Sequence, residues 1–172
     1  MNITKTQLFG TNITIIGSIH NTVGGTTEED MYKQLSRLRP DLILVEYPEK
    51  GVPNFSIDDI PYGDVKGVLS YCEDTNTNYK PIDKYIENHG SSTLKSETTP
   101  EVREKIRNSS GKDVRKLIFK HTNTFSEQVN EREQNMMKNI ISYSGQYNNI
   151  CFVVGDSHVQ GIKNEIESLS YI

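Results

Sequence analysis

The sequence predicts an α/β fold: a central mixed, largely parallel sheet flanked by helices, with an N-terminal hairpin. Three observations predict it. Residues 13–16, 42–45 and 150–154 are short continuous apolar runs, the pattern of interior strands covered on both faces. An amphipathic stretch separates the first two runs, as the crossover between parallel strands requires. A weakly alternating segment, residues 4–9, meets Gly10-Thr11-Asn12 just before the first run, as in a hairpin.

Each element can be justified in order. Gly10 or Asn12 would supply the positive φ of the hairpin turn. The strand at 13–16 ends at Gly17, and His20 follows its carboxyl end. Residues 21–27 form a loop with Gly24-Gly25, and Thr26 or Thr27 caps a helix. Glu28, Glu29 and Asp30 put acid in its first turn, where the helix dipole favours it. Met31, Leu35 and Leu38 form the apolar stripe, Arg37 and Arg39 close the end, and Pro40 stops the helix. The next strand, 42–45, carries Glu46 at its end. Residues 47–62 hold Pro48, Pro53 and Pro61 and read as a loop. A helix is expected at 64–73, with Val65, Val68, Leu69 and Cys72 on one face. A short extended piece at 79–82 leads to Asp83.

Residues 88–99, rich in Gly, Ser and Thr, read as an exposed stretch. Pro100 suits a first helical position, and Gly111 is expected to break that helix. Val114, Leu117 and Ile118, then Val129, Met136, Met137, Ile140 and Ile141, mark one or two more helices ending at Gly145. The strand at 150–154 stops at Gly155. A polar turn of Asp156, Ser157 and His158 is expected there, then a last helix through Ile162, Ile166 and Leu169.

With 172 residues, the chain is expected to form a single domain, 1–172. The net charge is −4 and there is no basic stripe interleaved with aromatics, which argues against nucleic-acid binding. No apolar run approaches the roughly 20 residues that span a bilayer. The start, MNITKTQLFG, lacks a charged segment followed by an apolar core, so a cytoplasmic protein is expected. Cys72 and Cys151 then read as free thiols. The phosphate-binding patterns GxxxxGK[ST] and GxGxxG are absent.

His20, Glu46 and His158 each follow an apolar strand. Parallel neighbouring strands would bring them to one sheet edge, where ligands bind in such folds. Two histidines and a carboxylate are a common divalent-metal set that leaves positions for water or substrate. Asp156 and Asp83 would add a ligand or a base. Arg132, on the helix with Glu131 and Glu133, would be a fixed cation for a substrate carboxylate or a developing oxyanion. His89 and His121 lie in polar stretches and read as surface residues.

In order, the segments IIGSIH, RPDLILVE, NEREQNMM and FVVGDSHVQGI resemble the TraB/PrgY/GumN superfamily, to which Tiki-type proteins belong. That pattern is a strand with Gly-x-x-His, a Pro-Asp-strand-Glu segment, a Glu-Arg helix with a nearby Met, and a final strand with Gly-x-x-His-x-x-Gly. Lys80-Pro81-Ile82-Asp83 is similar to the family's mid-domain strand, and the likeness covers about half the chain. The resemblance implies a site built from His20, Glu46, Arg132 and His158. It also implies an activity like that of the Tiki-type metal-dependent proteases, which use ions such as manganese or cobalt. The expected function is a metal-dependent hydrolase of peptide or amide bonds with manganese, cobalt or zinc. His20, Glu46 and His158 would be its ligands, Arg132 would stabilise charge, and Asp156 or Glu131 would manage protons. The partner is then a peptide or small-molecule substrate. The alternative is a non-catalytic module of the same fold that sequesters such a ligand.

Overall fold

The computed structural model describes residues 1–19, 25–48, 62–83 and 91–169. The elements, in order, are β1 (Asn2–Leu8), β2 (Thr11–Ser18), α1 (Glu28–Leu38), β3 (Leu42–Pro48), α2 (Gly63–Thr75), β4 (Asn78–Asp83), α3 (Ser91–Glu97), α4 (Pro100–Arg107), α5 (Gly111–His121), α6 (Thr124–Tyr143), β5 (Asn149–Gly155) and α7 (Asp156–Leu169). The strands form one sheet in the order β1-β2-β5-β3-β4. β1 pairs antiparallel with β2, and the other three pairings are parallel. The expected mixed, largely parallel sheet with an N-terminal hairpin is therefore what the chain forms.

Alternation along the strands sorts the apolar side chains onto two faces. Leu42, Leu44, Ile150, Phe152 and Val154 share one core with Met136, Ile140, Ile162 and Ile166 of α6 and α7. Ile43, Val45, Cys151 and Val153 share the other with Met31 and Leu35 of α1 and Val65 and Val68 of α2. Each strand of the central pair β5 and β3 is thus buried on both sides, which is why both read as unbroken apolar runs.

Helix caps explain several boundaries. Thr27 caps α1, its Oγ1 accepting from Asp30 N at 3.1 Å, and Arg39 ends that helix in the left-handed region at φ 47°. Thr99 caps α4, with Pro100 in its first turn. The Glu97 carboxylate accepts the Thr124 and Phe125 amides at 2.8 and 2.9 Å, capping α6 from outside. Those bonds, first that from Phe125, hold the Glu97 carboxyl below its usual range.

Of the two residues expected to supply the positive φ of the hairpin turn, Gly10 does so, together with Phe9, and Asn12 lies within β2; five other expectations are corrected. A two-residue turn of that kind matches the twist of paired strands. β2 runs past Gly17 to Ser18, because Gly17 and Ser18 continue the ladder opposite Val154 and Gly155. β3 runs past Val45, so Glu46 lies within a strand rather than after one. The polar stretch before Pro100 contains α3, which the Glu97 cap ties to α6. Gly111 begins a helix instead of breaking one: at φ 55° it turns the chain into α5. No polar turn separates β5 from α7; the helix starts at Asp156, directly after Gly155.

Both cysteines are buried and free. Burial pushes the Cys72 thiol up to about 11 and raises that of Cys151 as well. Neither thiol is therefore expected to react with a disulfide reagent in the native protein at mildly alkaline pH, and both are expected to react once it is unfolded. Native-state labelling of Cys151, read by mass spectrometry, would contradict its place in the sheet.

Candidate functional site

α1 and α2 lie against one face of the sheet, and α6 and α7 against the other. β5 sits between β2 and β3. The helix that comes next after β3 in the described chain, α2, and the helix that follows β5 directly, α7, therefore pack on opposite faces. The carboxyl ends of β3 and β5 are thus a point where the direction of winding switches, the usual ligand position in open α/β sheets.

Glu46 stands at an irregularity in β3 near this switch point. Val45 pairs with Pro81 and Pro48 with Asp83, so β3 spends one more residue than β4 across the step. Such a bulge twists a strand and re-aims its side chains. Glu46 Oε2 accepts the Gly155 N–H at the end of β5, and its Oε1 is paired with Arg132 Nη2 from α6. Arg132 also clasps Asp83 at the end of β4, with Nε 3.1 and 3.2 Å from the two carboxylate oxygens. Asn135, one turn further along α6, donates to Ile82 O at 3.1 Å and fixes the helix over β4.

Burial acts to deprotonate the Arg132 guanidinium, but Glu46 and Asp83 act more strongly the other way and hold its affinity for the proton above the ordinary value. The group is a permanent cation. It lies among carboxylates that are only 5% and 6% exposed, and its role here is to join β3, β4 and α6.

His158 stands in the first turn of α7 and is 4% exposed at its side chain. Its Nδ1 is 2.9 Å from Glu133 Oε1, and its Nε2 is 3.5 Å from Glu46 Oε1. The same Glu133 oxygen accepts from Arg115 Nη1 of α5. Arg115 also stacks over the Phe119 ring, 4.3 Å from its centroid.

The structure thus brings together Glu46, Arg132, His158 and Asp83. Glu133 and Arg115 join them, and the sequence reading missed both. Their signal was present in the spacing: Val129, Glu133, Met136, Met137 and Ile140 are the buried face of α6. A carboxylate on that stripe faces inward by period alone. Glu131, the expected proton carrier, is exposed on the opposite side of the helix.

Asp156 is placed elsewhere too. Its Oδ2 accepts the Gly111 N–H at the start of α5. Its Oδ1 lies where a Cβ on Gly17 would come within 2.7 Å. The residue ties the beginnings of α5 and α7 together, so it caps a helix other than its own. His20 and His89 lie outside the described residues, and His121 is half-buried at the end of α5.

A second buried polar pair stands on the other face of the sheet edge. Ser18, opposite Gly155 in the ladder, donates to Asp64 Oδ2 of α2 at 2.6 Å. At the far end of the sheet, a cavity of about 680 Å³ is lined by Thr14, Leu38, Pro40, Asn149 and Cys151. The titratable cluster described above does not border it.

Among the described residues no three His, Cys, Asp or Glu side chains converge as a metal-ligand set. Two donors, His158 Nε2 and Glu46 Oε1, face each other at 3.5 Å. That is longer than a charge-assisted hydrogen bond of about 2.7–2.9 Å. It is close to the roughly 3.4 Å between two donors on one tetrahedral ion with bonds of about 2.1 Å. In this respect the pair fits an ion, with Glu133 behind the ring as an outer partner. Among the described residues no helix is long and apolar enough to cross a membrane.

Fold and site together define the class: a mixed α/β sheet with a buried arginine–carboxylate–histidine cluster at the carboxyl ends of its central strands. Compared with family models, with curated proteins and with solved structures, the chain matches none.

Proposed function

We propose that the chain is a metal-dependent hydrolase acting on peptide or amide bonds, with the cluster at the carboxyl ends of β3 and β5 as its site. The reading is supported above all by the facing donors His158 Nε2 and Glu46 Oε1, 3.5 Å apart. Glu133 accepts from Arg115, so it acts as an ionised acceptor and its partner Nδ1 must be the donor. In the neutral ring Nε2 is then a bare lone pair turned toward a carboxylate oxygen. Two acceptors at that spacing are complementary to a cation.

His158 and Glu46 would hold the ion, and the sequence supplies His20 as the further ligand. Manganese, cobalt and zinc all suit such donors. A bound ion would acidify a water and polarise the scissile carbonyl. The chain's own residues prepare the place. The Gly155 amide and Arg132 fix both oxygens of Glu46. Glu133 fixes the ring of His158. Val45 on one face of the sheet and Val154 and Val159 on the other are buried, so the backbone that carries the two donors is anchored in both cores. The resemblance to the TraB/PrgY/GumN superfamily, carried by the same residues, supports the choice of an amide or peptide as substrate.

The test is elemental analysis of protein purified without chelator, followed by calorimetric titration with manganese, cobalt and zinc. Wild type is expected to take up one ion per chain and to cleave peptides only when loaded, and His158→Ala is expected to lose both properties. Absence of any uptake by wild type would sink the proposal.

A second reading, a module that sequesters a peptide or small ligand without cleaving it, is favoured by one observation. Both Glu46 oxygens already have protein partners, so the cluster holds together by itself. Ligand retention that is indifferent to metal and unchanged in His158→Ala would select it.

A further inference from the structure

We infer that Glu133 and Arg115 are positioning residues that lock His158 in a single tautomer, with the proton on Nδ1 and the Nε2 lone pair turned toward Glu46. The inference rests on the reading above where it treats His158 as a metal ligand with a neutral ring; the hydrogen on Nδ1 follows from the contacts alone.

Three helices converge on the imidazole in series. Arg115 of α5 reaches Glu133 of α6, and Glu133 reaches His158 of α7. A carboxylate can only accept. Glu133 Oε1 takes one hydrogen from the guanidinium and another from the ring, so the ring hydrogen it receives must sit on Nδ1. Arg115 is itself fixed at several points. It stacks on Phe119, its Nη2 is 3.4 Å from Asn130 Oδ1, and Asp156 anchors the start of α5 one turn earlier. The carboxylate therefore cannot turn away from the ring without giving up its ionic partner.

Gly161 is the remaining part of the device. It lies three residues beyond His158 on α7. A Cβ there would stand 2.7 Å from Glu133 Cδ and 2.9 Å from Arg115 Cζ, and closer still to Glu133 Oε2. Real Cβ atoms do not approach other atoms so closely, so the Glu133–Arg115 pair occupies the space a side chain would fill. The glycine that closes Gly-x-x-His-x-x-Gly is thus explained by the carboxylate behind the histidine.

The test is nitrogen NMR of the histidine ring in metal-stripped protein, with the His158 signals assigned by comparison with His158→Ala. Wild type is expected to show a protonated, pyrrole-type Nδ1 and an unprotonated Nε2. Glu133→Gln, which can either donate or accept at Nδ1, is expected to give a mixture of tautomers. Gly161→Ala, which changes no charge but displaces the carboxylate, is expected to do the same. If Glu133→Gln does not fold, Gly161→Ala carries the test. A wild-type ring protonated on Nε2, or a tautomer unchanged in whichever of the two variants folds, would overturn the inference. Metal titration is read separately, and loss of an outer partner of this kind lowers affinity by about 10–100-fold. A locked tautomer in a protein that takes up no ion would count against the metal reading and leave the positioning role intact.

Discussion

Replacing Arg132 with methionine is expected to destabilise the protein by about 3–5 kcal/mol, the usual result of removing one partner from a buried ion pair. Methionine fills much of the same volume, so a cavity is not the main cost. The cost lies in Glu46 and Asp83, which are almost wholly buried and would lose the cation they share. For a chain of about 150–250 residues each kcal/mol moves Tm by about 2–4 °C, so a fall of about 6–20 °C is expected in a thermal melt. Adding Asp83→Asn to Arg132→Met should recover part of the loss, because it neutralises one stranded carboxylate. A melt that shifts by less than about 2 °C, well under the cost of stranding a buried charge, would mean that Arg132 is not their principal counter-ion.

Glu46→Gln is expected to have the largest effect on the proposed chemistry. Glutamine keeps the shape and keeps an acceptor for the Gly155 amide, but it removes the charge that faces His158. Losing a direct ligand should weaken metal binding by more than the roughly 10–100-fold that loss of an outer partner costs, and metal-stimulated hydrolysis should fall with it. Asp83→Asn is the control. It removes a charge from the same guanidinium at the end of β4 without touching a proposed donor, and metal affinity should stay within a few-fold of wild type, less than even an outer partner's loss would cost. Equal losses in the two variants, measured by calorimetry, would show that Glu46 acts only through Arg132.

The strands were legible because burial on both faces leaves an unbroken apolar run, and the start of α1 was legible to within Thr26 or Thr27 because a threonine carries its own capping chemistry; Pro100 marked the start of α4, but its cap Thr99 was not read. The place of β5 between β2 and β3 was not predicted. Strand order depends on which faces pair, and the runs at 13–16, 42–45 and 150–154 are too alike to rank. Of the cluster, Glu46 and His158 were legible from their positions beside apolar strands, and Arg132 from its place on a helix with two glutamates and from the resemblance. Glu133 was passed over because a charge on a helix is read as solvated unless its period is compared with its apolar neighbours. Asp156 was misassigned because its partner, Gly111, is distant in sequence, and nothing local announces a cap given to another helix. Glu46 was set after its strand because a bulge is a property of two strands, and only one can be read at a time.

The central position of β5 has a consequence for how the molecule is made. β2 and β3 are finished within the first 48 residues, but neither finds its shared neighbour until residues 149–155 arrive. A growing chain without that segment carries two interior strands with open, apolar edges, the condition in which nascent proteins stick to one another. Pairings this distant in sequence also close slowly. Synthesis and assembly are thereby put in a fixed order: the hairpin and the α1–α2 layer can gather early, while the sheet is completed by a late insertion. His158 is delivered by the same segment three residues later, so Glu46 meets its partner only when the fold is closed.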